Sequence, residues 1–219
     1  MTSIAIIAEG QTDQVVIQNI LFGLFNDPNL NVRWEQPTLD ETDASRTAGA
    51  GGWTEVFRFC RSDLFANAFA TNELVIIQID TDRCGDVGFG VVVPKCAGKT
   101  DVDKLIELVS DRVRDEIDPA ILNQISDRVI FAVCVDSIEC WLLPPLYQDA
   151  KRAARISGCL NAVNEALNKQ NAGFYIRSKD LKRYESLSSE YKKNKYINAA
   201  SKRNPSLRTF VDSVNSFIV

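Results

Sequence analysis

Two short runs, "LVIIQI" at Leu74 to Ile79 and "VIFAVCV" at Val129 to Val135, are apolar at nearly every position rather than at every second one. A half-solvated strand alternates, whereas a strand that is apolar throughout must be covered on both faces. Helices packed on a mostly parallel sheet provide that cover. Two further strands are expected, one over Ile4 to Ala8 and an edge strand over Asn31 to Pro37. Between them Val15, Val16, Ile20, Leu21, Leu24 and Phe25 recur at helical spacing until Asn26-Asp27-Pro28 stops the helix. Trp53 to Phe69 and Val102 to Ile117 are helical in pattern, and Ser137 to Leu143 starts a helix that Pro144-Pro145 ends. Thr38 to Gly52 is predicted to be a loop, and "GDVGFGVVVP" a glycine-broken loop or hairpin. The remainder is helical and basic, with Asn204-Pro205 opening the last helix. This order predicts an α/β fold, with residues 1–146 as the core and 147–219 as a helical extension packed on it in one unit.

Composition removes several chemistries. The 219 residues contain no histidine, which excludes Ser-His and Cys-His nucleophiles and the usual zinc ligand. Carboxylates, lysine, water or a hard metal ion must carry any reaction. No apolar run approaches the roughly 18 residues of a membrane span, and no basic leader opens the chain, so a cytoplasmic protein without membrane contact is expected. The six cysteines form no C-x-x-C pair and are expected to be free thiols. The net charge of −4 is unevenly spread. From Tyr147 onward 14 Lys/Arg stand against 6 Asp/Glu, and before it 11 against 23. Carboxylates gathered at a site, and cations presented to an anionic partner, would give such a split.

Acids close each of the three core strands. Glu9 follows the first, before Gly10; Asp80 and Asp82 follow the second in "IDTDRCGD"; Asp136 and Glu139 follow the third in "VDSIECW". In open parallel sheets ligands bind beyond the carboxyl ends of strands. Carboxylates brought together there repel one another unless a cation such as magnesium is present. Each piece also has a structural alternative. Glu9 can be a solvated turn residue, Asp80-Thr81-Asp82 a polar turn, and Asp136 with Glu139 a capping box. Asp13 can simply complement the dipole of the first helix. Gly10 is expected in a turn with positive φ, where it would also let a backbone approach a phosphate. Trp53 and Trp141 are expected in the core rather than stacked on bases.

"AEGQTD" followed by "IDTD" resembles the topoisomerase–primase (TOPRIM) domain, whose hallmark is a Glu-Gly turn after the first strand and an Asp-x-Asp after a later one. "SIECWLL", "YKKNKY" and "RNPSLRTFVDSV" resemble small TOPRIM-like proteins similar to the nuclease half of the overcoming-lysogenization-defect (OLD) group. The resemblance implies a Rossmann-like sheet and a magnesium or manganese site. Glu9 would be a metal ligand or general acid/base, Asp80 and Asp82 would hold the ion, and Glu139, beside Asp136, would serve a second metal. It also implies a catalytic lysine, for which Lys179, Lys182 and Lys192 are candidates. The "AGAGG" segment, with Gly51 and Gly52, falls where such domains place a substrate-facing turn; Gly10, Lys192 and Lys193 complete the expected substrate contacts. The expected activity is a metal-dependent nuclease acting on DNA or RNA, an antiphage effector working with an ATPase partner. The alternative is a catalytically silent TOPRIM-like subunit that regulates or binds nucleic acid; a homo-oligomer is left open. A haloacid-dehalogenase-like phosphatase is disfavoured, because Cys84 stands where that chemistry wants threonine or valine.

Overall fold

The computed structural model describes residues 2–38, 52–177 and 180–218. In chain order its strands are β1 (Ser3–Ile7), β2 (Asn31–Gln36), β3 (Leu74–Asp80), a hairpin pair β4 (Lys95–Cys96) and β5 (Lys99–Thr100), and β6 (Val129–Cys134). Four of them form one sheet in the order β2-β1-β3-β6, with every pairing parallel. β3 is buried at every residue, as a run apolar at nearly every position requires.

Side chains alternate across a pleated strand, so each strand feeds two cores. Ile4, Ile6, Leu74, Ile76, Ile130 and Ala132 face one; Ala5, Ile7, Val75, Ile77, Ile79 and Val133 face the other. The first core is closed by α1 (Gln11–Phe25) and by helices late in the chain. The second is closed by α2 (Trp53–Cys60), α3 (Asp63–Thr71) and α4 (Val102–Arg114). A short α5 (Pro119–Ile125) precedes β6. After β6 come α6 (Leu143–Leu146), α7 (Ala150–Ala153), α8 (Cys159–Lys169), α9 (Leu181–Ser188), α10 (Asn194–Ser201) and α11 (Pro205–Ile218). Trp141 lies wholly buried in the first core, stacked on Phe210 of α11 at 5.2 Å between ring centres. Among the described residues no helix is long and apolar enough to cross a membrane.

Three local expectations are corrected. The helical pattern of Trp53 to Phe69 is two helices, because the Ser62 hydroxyl donates to the Phe59 carbonyl and ends the first. Pro144 and Pro145 do not end a helix; they sit inside α6, whose short first turn needs no proline N–H, and the preceding Ile138–Leu142 segment is a 3-10 turn. Cys140 and Cys159 are not free thiols but a disulfide with Cα atoms 5.0 Å apart. Their 19-residue separation announces nothing; the fold lays the turn after β6 against the start of α8. Cys60, Cys84, Cys96 and Cys134 are free.

Candidate functional site

From β1 the chain crosses to β2 on one side, and β3 lies on the other. The loops leaving β1 and β3 therefore part in opposite directions and open a crevice at the carboxyl ends of these neighbours. Glu9 stands just past the end of β1, and Asp80 is the last residue of β3. The Asp80 N–H donates to Glu9 Oε1 at 2.7 Å. Beneath them Gln78, wholly buried, accepts the Glu9 N–H at 3.1 Å and donates from Nε2 to Asp80 Oδ1 at 2.8 Å. A polar residue inside a core strand must find its partners there. Gln78 finds them in the backbone of one site residue and the carboxylate of the other.

The third strand end is tied to the second. Asp136 has φ 70°, a left-handed conformation that a short polar side chain tolerates better than most. Its N–H donates to Thr81 Oγ1 at 2.9 Å, and its carbonyl accepts the N–H groups of Thr81 and Asp82 at 3.1 and 3.0 Å. The Asp-x-Asp turn and the loop after β6 thus fix each other, which holds Asp136 in an otherwise disfavoured geometry. The capping-box alternative is not what forms. The Asp136 carboxylate accepts the Cys159 N–H at 3.4 Å, and buried Glu139 accepts the Tyr184 hydroxyl of α9.

These acids line one cleft of about 860 Å³, together with Gly52, Trp53, Arg83 and Leu160. Glu9, Asp80, Asp82, Asp86, Asp136 and Glu139 make six carboxylates there. Among the described residues the one cation in its lining is Arg83, which is ion-paired with Asp86. Burial raises Asp136 above the ordinary aspartate value, and the Asp82 and Glu139 carboxylates raise it further against the Cys159 N–H. Burial also raises the Tyr184 phenol, with Glu139, Asp13 and Asp80 adding to it. Asp13 is fully buried in the first turn of α1, where an acid complements the helix dipole, and is not among the cleft's lining residues.

Gly52 shows why a glycine stands there. Its φ is +68°, and a Cβ on it would lie 2.6 Å from Glu9 Oε2. Gly10 is different from expectation: with φ −159° its backbone is extended, open to any residue, and its carbonyl accepts the N–H groups of Asp13 and Gln14. Lys182, Lys192 and Lys193 are exposed and are not among the cleft's lining residues. Lys192 faces Glu185 at 3.6 Å, and Lys193 lies over the Tyr196 ring. Lys179, Gly51 and most of the "AGAGG" segment lie outside the described residues. Trp53 forms part of the cleft wall, packed against Phe57 and Phe89. Sequence reasoning missed Gln78, Arg83 and Tyr184. The first interrupts an apolar run and the second adjoins the Asp-x-Asp; Tyr184 carries no sequence signal.

The donor set is all oxygen, and Asp80 and Glu139 are nearly buried carboxylates with other acids facing them. That chemistry fits a hard divalent cation, which offsets the repulsion and the loss of water. Comparison with protein-family models, curated proteins and solved structures gives no match to this chain.

Proposed function

We propose that the chain is a magnesium- or manganese-dependent phosphodiesterase of TOPRIM type that cuts nucleic acid. One observation carries the reading: Glu9 and Asp80 are joined by a hydrogen bond at the strand reversal, in a cleft that also takes in Asp82, Asp136 and Glu139. Glu9, Asp80 and Asp82 would hold the cation, with Glu139 lining the same cleft. A divalent ion bound there supplies neutralisation of phosphoryl charge and a more acidic water. The protein's own part is to position. Gln78 and the Asp80 N–H orient the two carboxylates, and Arg83 offers the guanidinium that an incoming phosphate would meet. An ATPase partner and a place in antiphage defence follow from the resemblance alone, and form part of the proposal on that footing.

The test uses purified full-length protein with plasmid, single-stranded DNA and transfer RNA. Cleavage should need Mg²⁺ or Mn²⁺, stop with EDTA, and fall by about 10²-fold or more in Glu9→Ala or Asp80→Asn. Cleavage that survives both EDTA and Glu9→Ala rejects the assignment. Binding is read separately: Mn²⁺ at 100 times its Kd should stabilise the fold by about 2.7 kcal/mol, raising Tm by several degrees. Asp80→Asn should abolish most of that rise. Metal binding without cleavage would point instead to the silent regulatory subunit.

A further inference from the structure

We propose that Asp136, Cys140 and Cys159 form a second, thiol-switched metal site: closed while the two cysteines are a disulfide, and able to bind Zn²⁺ once that bridge is reduced. The site differs in kind from the all-oxygen set around Glu9 and Asp80, and it does not depend on the hydrolytic reading. One ligand atom from each of the three residues lies within 4.8 Å of the others. Cys140 Sγ is 3.8 Å from Asp136 Oδ2, and the Cys159 N–H already holds that oxygen at 3.4 Å. Tetrahedral zinc with sulfur ligands at about 2.3 Å and oxygen at about 2.0 Å spaces sulfurs about 3.8 Å apart and sulfur from oxygen about 3.5 Å. The Asp136–Cys140 spacing is therefore close to what the metal needs, and the two sulfurs must separate once the bridge is reduced. Both cysteines are fully buried, while Asp136 opens on the cleft, which gives an ion a way in and a water the fourth position.

The chemistry balances with an external dithiol as reductant. Its two thiols give two electrons and two protons to the Cys140–Cys159 bond and leave as a disulfide; zinc binding then releases the two cysteine protons. Glu139 precedes one cysteine and Leu160 follows the other, and both line the cleft. In either state the cluster clamps the cleft's acidic floor to the wall formed by α8, by a covalent bond in one and a metal in the other.

The experiment titrates full-length protein with Co²⁺, a spectroscopic stand-in for Zn²⁺, after reduction by a dithiol and removal of the reductant under inert gas. The expected result is a thiolate-to-cobalt charge-transfer band that saturates at one equivalent and is displaced by Zn²⁺. Asp136→Asn should weaken binding by about tenfold or more. The band should be absent from the oxidised protein and from Cys140→Ser/Cys159→Ser, which keeps the other cysteines as internal controls. Should that double variant not fold, Cys140→Ser alone is read in the same way. No band in the reduced protein, a bridge that resists dithiol in the native protein, or an equal band in the cysteine variant overturns the proposal. Glu9→Ala should leave the band unchanged whether or not it abolishes cleavage, so the two readings fail separately.

Discussion

Gln78 is the residue on which the acidic site most depends without belonging to its charge. Its amide spans from the Glu9 N–H to the Asp80 carboxylate, so the two strand ends share one buried side chain. Gln78→Leu keeps the volume but removes both bonds and leaves the Glu9 N–H without that partner. The expected cost is about 1–3 kcal/mol of stability, with Mn²⁺ affinity down about 10- to 100-fold, read from urea melts and from metal-dependent Tm. Gly52 makes a steric demand on the same carboxylate. Gly52→Ala would place a methyl group against Glu9 Oε2 in a left-handed backbone, so Glu9 must swing away. The variant is expected to lose most of the Mn²⁺-dependent rise in Tm while keeping its far-ultraviolet circular dichroism. Tyr184→Phe removes the hydroxyl that Glu139 accepts, at about 1–3 kcal/mol for a buried bond to a carboxylate, measured by chemical denaturation.

At the scale of elements, two contacts decide how helices meet. Gly23 lies inside α1, where alanine would ordinarily be better by about 1 kcal/mol. Here a Cβ would stand 2.0 Å from the Tyr191 carbonyl oxygen, so glycine lets the segment between α9 and α10 lie directly on α1. Gly23→Ala is therefore expected to destabilise by about 1–3 kcal/mol, opposite in sign to its propensity, as urea melts would show. On the other face Glu116, buried just after α4, takes Arg61 from the end of α2 and Arg112 from its own helix. Burial works against its charge, but the bonds to Arg61 and Arg112 win and hold its carboxyl below the ordinary value of 4.5. A lowered folded value means stability that is present above the unfolded value and lost as pH falls through the folded one. Glu116→Gln should thus cost about 1–3 kcal/mol at neutral pH. Denaturation across the acid range should show the deficit narrowing once pH drops below 4.5. Arg61 is 60% exposed and solvent-screened, so Arg112 is the stronger partner.

For the whole molecule, the late helices act as a structural layer. Leu207, Phe210, Val211 and Val214 of α11 are buried in the core that covers one face of the sheet. At about 1.5–3 kcal/mol each, their burial is comparable to the 5–15 kcal/mol that holds a typical domain together. The full chain should unfold in one transition, with tryptophan fluorescence and circular dichroism coinciding. A chain shortened to end before Pro205 should not refold cooperatively, because β6 and Trp141 lose their cover.

The sequence by itself determined the local and periodic features. A short, β-branched, nearly unbroken apolar run fits a strand covered on both faces, so the α/β class, the four sheet strands and the acids that close three of them were legible, together with the Glu-Gly and Asp-x-Asp spacing. Tertiary structure alone decided what meets what. Strand order puts Glu9 beside Asp80, the turn after β6 brings Cys140 to Cys159, and α9 delivers Tyr184 to Glu139. These partners lie 71, 19 and 45 residues apart. Pattern along a chain records which face a residue shows, and carries no information on which distant segment that face will meet.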